Sequence, residues 1–314
     1  MDYESDTPVV RRRTLLTAVG STLGLPAIGT TSASKSGPSD GTVDDEPSNL
    51  RRCPDATLGP SHGMCESASM EGCADDDQET IELRERAREA IETRYATVGD
   101  LIDREFLPYF DVKRPGFTSG WSHWLSPEYI GDDVLLDPDR PESVLVDNES
   151  WRPIGIMFIA TVDGEPVDRP PAVYPRDGET NGGDENGERN DGDGEANTRT
   201  AETSADRCSP WHYHRGLPGR FAWWYYQQVY EREDADRELS IPCRTPCMMH
   251  VWTAPHPEGA YAHDAPPKEN RRASSANDPG YETDADPDED ELGWEVLPDD
   301  VVPDRKPEDL LELW

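Results

Sequence analysis

The residues of this chain that can do chemistry through type and spacing are its histidines. His212 and His214, in Trp-His-Tyr-His, stand two apart. On a strand that spacing turns both imidazoles to one face, with Trp211 and Tyr213 on the other, and sets their Cα atoms roughly 6.5 to 7 Å apart. Two inward-leaning rings at that separation can reach one ion. His250, in Cys-Met-Met-His-Val-Trp, shares a strand face with Met248 and Trp252 and is the expected third ligand. His123, between Trp121 and Trp124, is the expected fourth. Imidazoles with a nearby thioether suit copper, and three imidazoles with a carboxylate suit zinc or iron, so the expected cofactor is one transition metal ion of that set. His62, in a leader, and His256 and His263, flanking the loop Pro257 to Ala262, fall outside the expected set. The competing reading makes the same histidines hydrogen-bonding members of an aromatic core.

Other chemistries lack their residues. The chain has no Gly-x-Ser-x-Gly elbow, phosphate-binding glycine loop, dinucleotide fingerprint or His-Glu-x-x-His helix. An EF-hand register starting at Asp286 fails, because Glu291 stands where glycine is needed and Leu297 where the bidentate glutamate belongs. Cys247 near His250 is the one thiol pairing to consider, and in an exported chain that thiol is expected to be oxidised.

Of the 314 residues, 66 are acidic and 30 basic, a net charge of -36 that disfavours nucleic acid and anionic lipid as partners. Arginine supplies nearly all the counter-charge, since lysine occurs only at 35, 113, 268 and 306. A carboxylate-dense surface of this kind suits concentrated salt, where screening shortens to about 3 Å, and the chain reads as halophilic. Apolar residues make up 34%, with tryptophan and tyrosine prominent, which predicts a small aromatic core.

Residues 1–33 read as a twin-arginine export signal: Arg11-Arg12-Arg13 precede a weakly apolar stretch from Leu15 to Ile28 and a small-residue site at Thr31-Ser32-Ala33. That stretch is too short and too polar for stable membrane insertion, so release to the exterior or the cell surface is expected. The six cysteines, at 53, 65, 73, 208, 243 and 247, are even in number and lack zinc-ribbon spacing, so disulfides are expected. With three before residue 75 and three after 207, at least one bridge must join the halves if all six pair.

These features sort the chain into a leader (34–75) with a Cys-rich segment, one globular domain (76–265) and an acidic tail (266–314) with a short terminal helix. Residues 176–206 carry ten acids, six glycines and no aliphatic side chain larger than alanine, and read as a disordered insertion. Residues 77–106 give the helix signal, with Gly99 expected to break it and Pro108 to end a second short helix. Strands are expected at 143–146, 154–162, 210–214 and 248–253, the second central because it is nearly all apolar. The aromatic run 221–230 is expected as a further strand. The fold class is therefore α+β, with N-terminal helices packed on a mainly antiparallel aromatic-rich sheet or flattened barrel, and with leader, insertion and tail disordered.

Gly120 to Tyr129, Asp137 to Leu145 (Asp-Pro-Asp-Arg-Pro-Glu-Ser-Val-Leu), Pro153 to Phe158, Trp211 to His214 and Met249 to Ala262 together resemble a family of uncharacterised exported proteins. The family shows an Asp-Pro-x-x-Pro-Glu block and a Leu-His-Val-Trp segment. Val146 stands for its usual tyrosine and His256 for its usual asparagine. The resemblance spans about residues 95 to 263 without the insertion, implies one domain and a role for His250, and carries no activity with it.

Two functions follow as expectations. One is an exported protein that binds a transition metal through its histidines. The other is a non-catalytic binding or cell-surface module whose aromatic face (Trp211, Trp223, Trp224, Trp252) meets an unknown small molecule or protein. Replacing Arg12 and Arg13 together with lysine is expected to retain the protein inside the cell; undiminished secretion of the double variant, read by immunoblot of the medium, contradicts the export reading.

Overall fold

The structure is a computed structural model that describes residues 53–111, 120–173, 208–230, 241–271, 276, 278–287 and 289–311. The signal segment, the insertion at 176–206 and residues 34–52 of the leader lie outside the described residues. Nine strands are present among the described residues: β1 (His62–Met64), β2 (Leu107–Phe110), β3 (Trp121–Leu125), β4 (Ser143–Asp147), β5 (Arg152–Ile159), β6 (Thr161–Val162), β7 (Glu165–Pro166), β8 (His212–His214) and β9 (Met248–Trp252). Seven form one antiparallel sheet in the order β1-β8-β9-β5-β4-β3-β2, and β6 pairs with β7 apart from it. The apolar strand β5 is fourth of the seven, as its composition requires of a strand covered on both faces.

One face of the sheet is covered by α1 (Gln78–Arg94), which packs on β5 and β9. Leu83, Ala87 and Ile91 of the helix meet Ile156, Phe158, Met249 and Val251 there. Further along the same face α2 (Val98–Asp103) and the chain beyond residue 275 complete a second cluster, with Trp124, Val144, Leu292, Trp294 and Leu297. The other face is covered by α4 (Leu217–Val229), whose Phe221, Trp224 and Tyr225 pack with Met157, Ile159, Met248 and Trp252. The short helix α3 (Pro127–Ile130) follows β3, and α5 (Lys268–Arg271) follows the last strand. Leu310 of α6 (Pro307–Leu311), the short terminal helix expected in the tail, joins the α4 cluster. No helix among the described residues is long and apolar enough to cross a membrane.

Several local expectations are corrected. Residues 221–229 lie in the helix α4, with Tyr230 as its C-cap, and not in a strand. Pro218 in its first turn favours a helix start, and burial of the aromatic side chains under the sheet overrides their strand propensity. The first helix ends at Arg94, and Gly99 lies inside α2, whose start is set by a capping box between Thr97 and Asp100. Gly99 is needed for a different reason: a Cβ there would lie 2.0 Å from the Gly280 carbonyl oxygen. Pro108 sits within β2, which tolerates it as the edge strand.

Two segments expected to be unstructured belong to the fold. Residues 53–75 of the leader carry β1, which pairs with β8, and the chain past 266 supplies Ala276, Leu292, Trp294 and Leu297 to the core. For the tail the reason is burial of these large apolar side chains, and for the leader it is cross-linking. Cys53–Cys243, Cys65–Cys247 and Cys73–Cys208 all join the N-terminal segment to the later half. Cys65 and Cys247 are buried, and their loop spans 182 residues. Replacing both with serine is expected to lower unfolding free energy by about 2–5 kcal/mol in denaturant titration; a loss below about 0.5 kcal/mol contradicts the view that this bridge holds β1 on the sheet.

Candidate metal centre

Strand periodicity puts His212 and His214 of β8 on the α4 face of the sheet, while Trp211 and Tyr213 join the α1 face. His250 of β9 and His123 of β3 project to the α4 face as well, in step with Met248, Trp252, Trp121 and Leu125. The ring centroids of His123 and His250 are 6.4 Å apart although β4 and β5 separate their strands. Three interstrand spacings amount to about 14 Å on a flat sheet, so the sheet curves and both rings lean inward.

His263 completes the group from a direction that strand periodicity does not predict. After β9 the chain doubles back, with Trp252 N–H donating to the Ala260 carbonyl (2.9 Å) and the Trp252 indole N–H to the Ala262 carbonyl (2.8 Å). Asp75 anchors the loop by accepting from Ala260 N–H at 2.7 Å. Gly259 takes the turn at φ +97°, a conformation L side chains rarely adopt. His62, on β1 in register with His214, stacks on His263 with ring centroids 3.9 Å apart. Six of the seven histidines therefore gather on one side of the sheet. The seventh, His256, uses Nδ1 to accept Glu258 N–H at 2.9 Å, as an asparagine side chain does in a tight turn.

Within this gathering, His212, His214 and His263 each offer a ligand atom, all within 4.8 Å of one another. Their ring centroids are 5.5, 4.8 and 5.1 Å apart. An imidazole nitrogen about 2.0–2.1 Å from zinc puts its ring centre roughly 3.2 Å from the ion, so tetrahedral ligands have ring centres about 5.2 Å apart. The three rings already have that spacing, and small χ rotations would bring the nitrogens together. These three residues could hold a metal ion.

Two of the three, His263 and His212, have the second nitrogen fixed in the way a metal ligand needs. The Nδ1–H of His263 donates to the Asp264 carboxylate at 2.9 Å, leaving its buried Nε2 without a partner. His212 hydrogen-bonds the backbone of Pro210, and its Nε2 is likewise buried and unpartnered. A carbonyl or carboxylate on the far nitrogen sets the tautomer whose near nitrogen binds metal. Of the expected ligands, the structure brings His212 and His214 into this group, with His263 as its third member. His250 lies beside it, 5.4 Å from His212 and 6.2 Å from His263 between centroids, with both ring nitrogens buried and unpartnered. His123 stands one ring further out, beyond His250.

A cavity of about 870 Å³ lies between the sheet and α4, and His62, His123, His214, His250 and His263 line it. His212 is not on the cavity wall, so the three-histidine group has one member behind the wall and two at its surface. The four tryptophans expected to form an open aromatic face are all buried, Trp211 on the α1 side and Trp223, Trp224 and Trp252 on the α4 side. Removal from water leaves them no exposed face for a protein partner.

Burial also sets the protonation of the site. Desolvation, then the neighbouring imidazoles, holds His212 and His250 well below the ordinary histidine range and His214 down to about 3. Desolvation also lowers His123 and His62. At neutral pH these rings are uncharged and able to ligate a metal. No family model, curated protein or solved structure matches the chain.

In metal-free protein these depressed values fix the sign of the acid response. Between about pH 6.5 and the lower folded values the unfolded chain binds protons that the folded chain does not, so stability falls as pH falls. Each such histidine steepens the fall by up to about 1.4 kcal/mol per pH unit in that window and adds no slope above it. Denaturant midpoints measured in chelator from pH 7.5 to 4.5 are expected to drop steeply below about 6.5; a flat profile down to pH 5 contradicts the buried-imidazole account.

Proposed function

We propose that this chain is an exported metalloprotein whose ion is held by His212, His214 and His263, with an open coordination position facing the cavity under α4. The observation that carries this reading is the convergence of three imidazoles whose ligand atoms lie within 4.8 Å of one another, with Nε2 of both His212 and His263 buried and unpartnered. Leaving such nitrogens buried without partners costs about 1–3 kcal/mol each, a cost that a bound ion removes. Structural metal sites are closed by protein ligands, whereas sites with three protein ligands and an accessible fourth position are typical of catalytic metals. The wall position of His214 and His263 supports the second kind, and His250 faces the open position as a hydrogen-bonding neighbour.

Zinc, copper and iron remain the ions this donor set suits. Three disulfides fit an oxidising compartment. Twin-arginine export, which carries folded chains, would allow the ion to be loaded before crossing. The net charge of -36 raises the local concentration of cations and agrees with a host of high internal or external salt.

Metal analysis of the full chain purified in molar salt is expected to find a single ion per molecule. His214→Ala and His263→Ala are each expected to weaken binding by about tenfold or more, while His256→Ala leaves it unchanged. Wild-type protein that takes up none of the three metals contradicts the reading, as does full affinity in both site variants.

A further inference from the structure

The cavity that the three-histidine site borders has a composition that selects among ligands, and the inference drawn from it rests on the metal reading above. We propose that the cavity binds a fused-ring phenol, with its rings against the aromatic wall and its oxygen toward the open metal position. Five aromatic side chains line the space: Tyr109, Trp121, Phe221, Trp223 and Tyr226. Neighbouring rings hold them in place, Trp223 stacked on Tyr226 with centroids 5.2 Å apart and Trp121 edge-on to the buried Trp252 at 5.6 Å. Flat π-systems recognise flat rings through offset and edge contacts that a saturated ring of the same size cannot make.

The side-chain charges of the wall disfavour a ligand that carries negative charge away from the ion. Arg271 pairs with Asp147 at 3.3 Å, both side chains buried, and also donates to the Gly120 carbonyl at 3.2 Å. Asp264 is engaged by His263. Asp111, at the wall as well, adds negative charge. A carboxylate or phosphate entering the space would therefore meet aspartates and an arginine already paired. The ion, by contrast, would have three neutral imidazoles and a net positive charge, which favours a ligand oxygen that displaces water from the open position and releases its proton to bulk solvent on binding. A phenol does so far more readily than an aliphatic alcohol. The unpartnered nitrogens of His250 sit beside that position and can accept or donate a hydrogen bond to the bound oxygen. A space of about 870 Å³ is generous for one ring and accommodates two.

The test uses the full chain loaded with cobalt(II), whose visible bands report its ligands, and three probes: 2-naphthol, decahydro-2-naphthol and 2-naphthoate. Naphthol is expected to shift the cobalt bands and to bind about tenfold tighter than either of the others. Ala222, on the cavity wall, gives a variant that fills the space without removing a packed ring. Ala222→Phe is expected to weaken naphthol about tenfold while cobalt stoichiometry stays unchanged. Equal affinity for the saturated alcohol, preference for the carboxylate, or naphthol binding that leaves the cobalt bands or the Ala222→Phe variant unaffected overturns the proposal while the metal reading stands. A chain that takes up no cobalt overturns both.

Discussion

An imidazole nitrogen taken out of water must find a partner or cost the fold about 1–3 kcal/mol, and this protein buries four such atoms without one: Nε2 of His212, both ring nitrogens of His250 and Nε2 of His263. Much of the α4 side of the sheet answers to that constraint. Curvature of the sheet brings rings from β3 and β9 within a few ångströms. The returned loop after β9 delivers His263, and Asp264 and the Pro210 backbone fix two tautomers. Aromatic side chains from α4 cover this side of the sheet without supplying hydrogen bonds to the ring nitrogens, so His212, His214 and His250 are desolvated and kept neutral.

The N-terminal segment is the second requirement of this arrangement. β1 is three residues long and largely exposed, and such a strand does not hold an edge position by pairing alone. Three disulfides to the segments around 208, 243 and 247 supply the constraint, and they bring His62 face to face with His263. Oxidative folding and assembly of the histidine group are thereby linked: the bridge Cys65–Cys247 joins the residue after β1 to the residue before β9.

Much of this was legible in the sequence wherever periodicity governs position. The two-residue step of His212 and His214, the shared face of His250 with Met248 and Trp252, and the central place of the apolar β5 all follow from the alternation of a strand. His263 was not legible because a loop, not a period, places it. Its adjacent aspartate was the available signal, since a His-Asp pair is a ready-made tautomer lock. The α4 segment is not legible as a helix because a run of aromatics carries no period, and the start marked by Pro218 outweighs strand propensity once Phe221, Trp223, Trp224, Tyr225 and Tyr226 are buried. The segments 53–75 and 266–311 look too polar and proline-rich to fold. They are held by cross-links in the first case and by a few large side chains, Leu292, Trp294 and Leu297, in the second.

X-ray absorption at the edge of the bound metal, on the full chain in molar salt, tests the central claim most directly. The account predicts three imidazole ligands at about 2.0–2.1 Å with one further light-atom ligand, and loss of one imidazole in His263→Ala. A first shell dominated by carboxylate oxygen, or one unchanged in His263→Ala, would contradict it.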